Sequence, residues 1–217
     1  MSRTDRPQSV GEEIANAISH GVGLVASLVA LPILVAAAAM RGGVMLAVAC
    51  SVFAGSLILL YAASTLYHAI PHPPTKQVLR LIDHTAIYLL IAGSYTPLAL
   101  GVLRGAWGWS LLVAIWALAL SGIVFKTTLG FRYPKISVVF YLVMGWLAVV
   151  AARPLYLHLP AAGIGWLVAG GLAYTGGVIF YRWDTMRYAH FIWHLFVMAG
   201  SACHFWAVYR YGLPVAA

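Results

Sequence analysis

The stretch GAWGWSLLVAIWALALSGIVF (residues 105–125) contains 21 residues and no charged side chain. A helix that crosses the hydrocarbon core of a membrane needs about 20 apolar residues, because each residue advances the helix by about 1.5 Å. Arg104 and Lys126 lie immediately outside the stretch, where a spanning helix would meet the lipid head groups. The stretch therefore predicts one transmembrane helix.

Six more charge-free stretches divide the rest of the chain. They contain between 17 and 34 residues, and they are residues 14–40, 42–75, 84–103, 136–152, 154–181 and 188–209. Charged residues make up only 8% of the chain, against about 25% in soluble domains. Transmembrane strands alternate apolar and polar residues, whereas these stretches are apolar throughout. We therefore predict an all-α integral membrane protein, with a short cytoplasmic segment (residues 1–12) and a single seven-transmembrane helix bundle (residues 13–217).

The distribution of positive charge predicts the orientation of this bundle. Nine of the 13 Lys and Arg residues lie in the N-terminal segment and after the second, fourth and sixth spans. Because cytoplasmic loops carry the excess of Lys and Arg, we expect the N-terminus in the cytoplasm and the C-terminus outside. The protein would be a multi-pass protein of the inner (plasma) membrane. The net charge of +8 would form a rim that attracts anionic inner-leaflet lipid, and it does not indicate a nucleic-acid partner.

Three histidines form a candidate metal site at the predicted cytoplasmic end. His190 and His194 are four residues apart at the start of the last span, so a helix places both rings on one face. His68 ends the second span at the same predicted depth. Three imidazoles with a fourth position open to water are typical of catalytic zinc. The sequence therefore predicts Zn²⁺ held by these three histidines.

The general base of such a site has to come from another helix. The motif HxxxH lacks the glutamate of HExxH, which serves as the base in many zinc hydrolases. Asp83, at the start of the third predicted span, is expected to act as that base or to orient a ligand histidine. Ser64 precedes His68 by four residues and shares its helix face. We expect its hydroxyl to hold the ring or to stabilise an oxyanion.

The remaining polar residues have simpler interpretations. His158 and His204 lie near the other ends of their spans and are expected to be interfacial or capping residues. Glu13 has two interpretations: it complements the dipole of the first helix, or it makes a polar contact into a cavity. The sequence leaves the roles of Asn16 and His20 open.

Four motifs carry a family resemblance. They are EEIANAISHGVG (12–23), STLYHAI (64–70), LRLIDHTAIYLLIAGSYTPL (79–98) and HFIWHLFVMAGSACHF (190–205). Together they resemble the haemolysin III branch of the progestin and adipoQ receptor family. The resemblance implies a seven-helix bundle with a cytoplasmic N-terminus and zinc at the three histidines, with Asp83 and Ser64 beside it. It also implies a centre similar to that of alkaline ceramidases, which cleave lipid amides.

Two functions of different kinds follow. The first is a zinc-dependent hydrolase that cleaves the amide or ester of a membrane acyl lipid near the cytoplasmic leaflet. The second is a non-enzymatic sensor of membrane state, or a receptor-like protein, in which zinc is structural. A pore-forming haemolysin ranks last, because the chain has no amphipathic lytic segment. The sequence leaves the lipid and the oligomeric state open.

Overall fold

The computed structural model describes residues 7–183 and 185–214, so residues 1–6 of the predicted N-terminal segment lie outside the described residues. The described residues form helices and no strand. Six of the helical elements in these ranges are long and apolar enough to cross a membrane. The prediction of an all-helical, multi-pass membrane protein is confirmed for the described residues.

Seven α-helices are labelled here in chain order. They are α1 (Val10–Ala69), α2 (Pro73–Pro97), α3 (Gly105–Phe125), α4 (Pro134–Gly145), α5 (Ala152–His158), α6 (Ala161–Tyr181) and α7 (Ala189–Ala207). Wider π-helical turns extend three of them: Leu98–Leu103 follows α2, Lys126–Gly130 follows α3, and Val208–Gly212 follows α7. A 3₁₀ segment, Leu147–Ala151, joins α4 to α5.

Helix α1 folds back on itself at Gly43. A straight helix of its 60 residues would be about 90 Å long, yet Asn16 Nδ2 lies 3.5 Å from His68 Nδ1. Gly43 has φ 76° and ψ −170°, a conformation that is accessible to glycine and costly for other residues. The two halves of α1, residues 10–42 and 44–69, therefore run antiparallel to each other.

The start of α1 is fixed by a capping box. Ser9 is the N-cap, and its hydroxyl accepts from the backbone N–H of Glu12, while the Glu12 carboxylate accepts from the backbone N–H of Ser9. Such reciprocal bonds satisfy backbone groups that a helix N-terminus otherwise leaves unpaired. Helix α1 thus begins at Val10, inside the segment predicted to precede the bundle.

Two of the span boundaries predicted from charges differ from the helix boundaries in the structure. Helix α2 begins at Pro73, so Asp83 lies near the third turn of the helix and not at its start. Proline favours the first helical turn, and the charged residues that follow it are compatible with a helix at the membrane surface. Arg153 does not end a span either, because it lies within the helical stretch Pro134–His158. Its long side chain can extend towards the head groups.

The bundle has an apolar exterior and a partly polar interior. Large apolar side chains along α1, α3 and α6 are exposed, among them Val25, Val113 and Ile179. Asn16 and Ser64, in contrast, are fully buried. An apolar surface of this extent fits contact with lipid chains. Helix α7 packs on both α1 and α6, which brings the first and last helices together around the buried polar groups.

Candidate metal centre and internal cavity

The three predicted metal ligands lie together. One ligand atom from each of His68, His190 and His194 lies within 4.8 Å of the other two. His194 follows His190 by one helical turn on α7, and their ring centroids are 4.6 Å apart. His68, in the last turn of α1, lies 5.1 Å from each of the other two ring centroids. The group joins the second half of α1 to the start of α7.

Glu13 orients the ring of His68. Its Oε2 atom lies 2.6 Å from His68 Nδ1, and its Oε1 atom lies 3.0 Å from the ammonium of Lys76. A carboxylate accepts hydrogen bonds, so this contact places the ring hydrogen on Nδ1 and leaves the lone pair on Nε2. His68 Nε2 is buried and has no partner among the described residues. Glu13 therefore makes the polar contact into the interior that the sequence left as one of two interpretations.

The first half of α1 also supports His194. The backbone carbonyl of Asn16 accepts from His194 Nδ1 at 3.3 Å, and the Ser19 hydroxyl lies 3.1 Å from the same nitrogen. The Ser19 hydroxyl donates to the Asn16 carbonyl as well. These contacts leave Nε2 of His194 for a ligand. Metal-binding histidines commonly use their second nitrogen in this way, since the hydrogen bond fixes the tautomer and the ring orientation.

His20 packs directly on this group. Its ring is stacked on that of His194, with centroids 3.4 Å apart and planes 8° apart. The ring edge meets Tyr61 at 5.0 Å, and neither ring nitrogen has a hydrogen-bond partner among the described residues. The stacking restricts rotation of the His194 ring. Glu13, Asn16 and His20 are spaced three and four residues apart, the spacing of one helix face, and this is the signal in the sequence that could have identified them.

Asp83 and Ser64 lie beside each other at the same end of the bundle. Asp83 is 7% exposed and Ser64 is fully buried. The Ser64 hydroxyl neighbours the Asp83 carboxyl, although it completes no hydrogen bond among the described residues. Asp83 also lines the internal cavity that His190 and His194 line. The structure thus groups the three histidines and places Ser64 beside Asp83, which lines the same cavity as His190 and His194.

The donor set fits a metal ion such as zinc. Each ligand candidate is an imidazole, two of the three hold a hydrogen bond at Nδ1, and His68 Nε2 is a buried acceptor that nothing satisfies. A buried polar atom without a partner is costly, and a metal bond removes that cost. The three histidines would hold such an ion with three nitrogen ligands, the number that catalytic zinc sites use beside an open position.

The cavity leads from the histidines into the apolar middle of the bundle. Its volume is about 100 Å³, which is room for several water molecules. Apolar side chains of α2, α4, α6 and α7 form most of its wall, including Ile87, Leu142, Val178 and Val197. Polar side chains line it at the histidine end, and others, such as Tyr95 and Thr175, lie further along. A mostly apolar cavity with a few polar groups fits an acyl chain with a polar head.

His204 also lines this cavity, so the prediction that it is an interfacial or capping residue is wrong. Its Nε2 atom lies 3.3 Å from the Leu167 carbonyl oxygen. A side chain at Gly170 would overlap the His204 ring, so the glycine allows the ring to lie between α6 and α7. His158 is exposed, and its Nδ1 donates to the Pro154 carbonyl at 2.7 Å.

Comparisons with known proteins agree on one family. The model of the family "Haemolysin-III related" matches residues 8–205. The chain is 48% identical to "Hemolysin-3" of Bacillus cereus over 98% of this chain and 97% of that protein. It is also 48% identical to "Hemolysin-3 homolog" of Bacillus subtilis (strain 168), over 95% of this chain and 97% of that protein.

A human protein is similar over a shorter range. "Monocyte to macrophage differentiation factor" of Homo sapiens is 30% identical over 74% of this chain and 68% of that protein. The aligned portion of each chain is large enough to include most of the bundle. Together with the match to the family model over residues 8–205, these relatives show that the chain belongs to the haemolysin III-related family of membrane proteins.

Proposed function

We propose that this protein is a zinc-dependent hydrolase of a membrane acyl lipid, with seven transmembrane spans and a site near the cytoplasmic leaflet. The break at Gly43 supports seven spans, because it divides α1 into two antiparallel halves. The excess of Lys and Arg in the N-terminal segment and in the loops predicted on the same side of the membrane supports a cytoplasmic N-terminus. The membrane would be the inner (plasma) membrane. His68, His190 and His194 would hold the metal.

The observation that carries this proposal is that two members of the histidine group, His190 and His194, line the same mostly apolar cavity as Asp83. A lipid with its acyl chain in the cavity would present its amide or ester carbonyl to these side chains. Zinc bound there would supply Lewis acidity towards the carbonyl and towards water. The remaining chemistry belongs to side chains of the chain itself.

Asp83 and Ser64 have complementary roles in this scheme. Asp83 accepts a proton from the water whose oxygen attacks the carbonyl carbon, and it returns that proton to the leaving amine or alcohol as the C–N or C–O bond breaks. The Ser64 hydroxyl lies next to Asp83, and its proposed role is to donate to a developing oxyanion. The products are a carboxylic acid and an amine or alcohol.

The proposal is tested by metal and turnover measurements on the purified chain. We expect stoichiometric zinc by mass spectrometry of the metal content. We also expect release of a fatty acid from at least one member of a panel of N-acyl and O-acyl lipids, and its loss after chelation and return with added zinc. Metal content at background level would contradict both the hydrolase and any structural role of zinc.

A second function is supported by where the histidines lie. Because His68 is on α1 and the other two are on α7, a bound metal would also clamp the ends of these helices together. Metal bonds of this kind can contribute directly to folding. A sensor or receptor-like protein with structural zinc would keep the metal and show no turnover on the lipid panel.

Substituting Glu13→Gln is expected to weaken zinc affinity about 10-fold to 100-fold, the usual effect of losing a partner that orients a ligand histidine. The amide cannot reproduce the charge-assisted bond to His68 Nδ1. Competition with a chromophoric chelator measures the affinity. Lys76→Gln is the matched control, because it removes the other partner of Glu13 and leaves its contact with His68. Equal affinity in wild type and Glu13→Gln would contradict the role of this carboxylate.

A further inference from the structure

A buried cation lies at the same end of the bundle on a different helix. Lys126 follows α3, and its side chain is 2% exposed. Its ammonium forms no hydrogen bond and no ion pair within the described residues. A side chain at Gly130 would overlap the aliphatic carbons of Lys126, so the glycine makes room for this lysine. Buried lysines are rare unless their charge is paired.

Several buried polar groups near Lys126 also complete no hydrogen bond among the described residues. Ser137 Oγ, Tyr88 Oη and His84 Nδ1 are buried and unpaired among the described residues. Ser137 lies close to Lys126, since a Cβ at Gly130 would contact both side chains. The rings of Tyr88 and Tyr141 are 4.5 Å apart, and Tyr141 donates to the His84 carbonyl. The Tyr88 hydroxyl lies next to those of Ser137 and Tyr141, so these groups can pair with one another, whereas the Lys126 ammonium is left without an acceptor. Buried groups of that kind are uncommon in native structures.

A second cation lies against the same aromatic ring as Lys126. The Phe131 ring has Lys126 Nζ at 4.5 Å and Arg80 Cζ at 4.8 Å from its centroid, and the His84 ring centroid at 5.7 Å. Two positive charges this close repel each other unless an anion lies between or beside them. Asp83 is within electrostatic range of Lys126 but forms no ion pair with it.

We propose that Lys126, Arg80 and Ser137 form a binding site for one anionic head group, a carboxylate or a phosphate, of an amphiphile whose chain lies in the cavity. His84, Val138 and Tyr141 belong to the cavity wall. They adjoin the cation cluster, since the His84 ring neighbours Phe131 and Val138 follows Ser137 along α4. A carboxylate or phosphate supplies several acceptor oxygens to charged donors, and Lys126 and Arg80 are such donors.

The anion has two sources that share this chemistry. One is the carboxylate of a fatty acid, which would be the product of the proposed hydrolysis. The other is the phosphate of an inner-leaflet lipid. The site contains none of the three histidines, so it does not depend on zinc, and its failure would leave the metal proposal untouched.

Binding of three dodecyl amphiphiles to the purified, metal-depleted chain in a neutral detergent tests the proposal. Dodecanoate, dodecyl phosphate and dodecanol have the same alkyl chain and different head groups. The unfolding temperature of the protein, followed by intrinsic tryptophan fluorescence, reports how strongly each one binds. We expect at least one anionic amphiphile to raise the unfolding temperature and dodecanol to leave it unchanged. Preference for dodecanoate points to the fatty acid, and preference for dodecyl phosphate points to the lipid. An equal effect of dodecanol would overturn the proposal.

The variant Lys126→Met removes the charge and keeps a long apolar side chain. We expect about 10-fold to 100-fold weaker binding of the preferred anion, the usual contribution of a charged hydrogen bond. Lys135→Met is the matched control, because Lys135 is exposed near the same end of the bundle. The affinity of this variant for the preferred anion should stay within about twofold of wild type. If Lys126→Met does not fold, Ser137→Ala should weaken binding about fivefold. Unchanged binding in the folded variant, or equal loss in Lys135→Met, would overturn the site.

Discussion

Substituting His194→Ala is expected to reduce bound zinc from about one ion per chain to background. His194 is 1% exposed, its Nδ1 is held by the Asn16 carbonyl, and its ring lies close to both other candidate ligands. Removing it leaves two imidazoles, and a two-ligand site loses most of its affinity for zinc. Metal content after purification in a zinc-containing buffer measures the effect.

His204→Ala is the matched control for this prediction. His204 is also an α7 histidine that lines the cavity, but it is absent from the histidine group. The His204→Ala variant should keep its zinc. Equal loss of zinc in the two variants would mean that the metal does not bind between His68, His190 and His194.

Thermal stability gives a second measurement on His194→Ala. A ligand that binds only the folded state stabilises it in proportion to the logarithm of its concentration over Kd. Wild type should therefore unfold at a higher temperature in excess zinc than in chelator, by several degrees. The variant should unfold at one temperature in both conditions. A zinc-dependent shift of wild-type size in His194→Ala would contradict the assignment.

The gaps between charges predicted the helical membrane architecture because burying a charge in lipid is costly. Arg41 ended the first predicted stretch, and the backbone breaks two residues later, at Gly43. The same argument failed at Arg153, because a long side chain near the end of a helix can reach the head groups without ending the helix. The charge argument also put Asp83 at the start of its helix, whereas the helix begins ten residues earlier, at Pro73. Charge-free stretches do not reveal helical turns that lie at the membrane surface and carry charges.

The candidate ligand histidines were predictable from the sequence, whereas most of the residues that orient their rings were not. The spacing of His190 and His194 on one helix is a local feature, and a spacing of four residues determines a shared face. The bond between Glu13 and His68 joins residues 55 positions apart and depends on how the halves of α1 pack. The burial of Lys126 could not be predicted for another reason. A lysine at the end of an apolar stretch usually marks the membrane surface, but the missing side chain of Gly130 lets this one turn inwards.

Substituting Asp83→Asn is expected to reduce lipid turnover about 10²-fold to 10⁴-fold, the usual contribution of general acid–base catalysis, while zinc content stays at the wild-type level. Asparagine has nearly the same shape and can still fill the buried position beside Ser64, but its amide cannot accept and return a proton. Turnover of the best lipid substrate and metal content are measured on the same preparation.

The same variant separates the two proposed functions. If zinc only clamps α1 to α7, then Asp83→Asn should leave metal content and unfolding temperature close to wild type, and no lipid should turn over in either protein. If the site is hydrolytic, the variant should bind the uncleaved substrate with near wild-type affinity, because the carboxylate acts on the water and not on the acyl chain. Full turnover by Asp83→Asn would exclude this carboxylate as the base. Loss of zinc together with activity would instead mean that Asp83 supports the ligands, as the second interpretation of the sequence allowed.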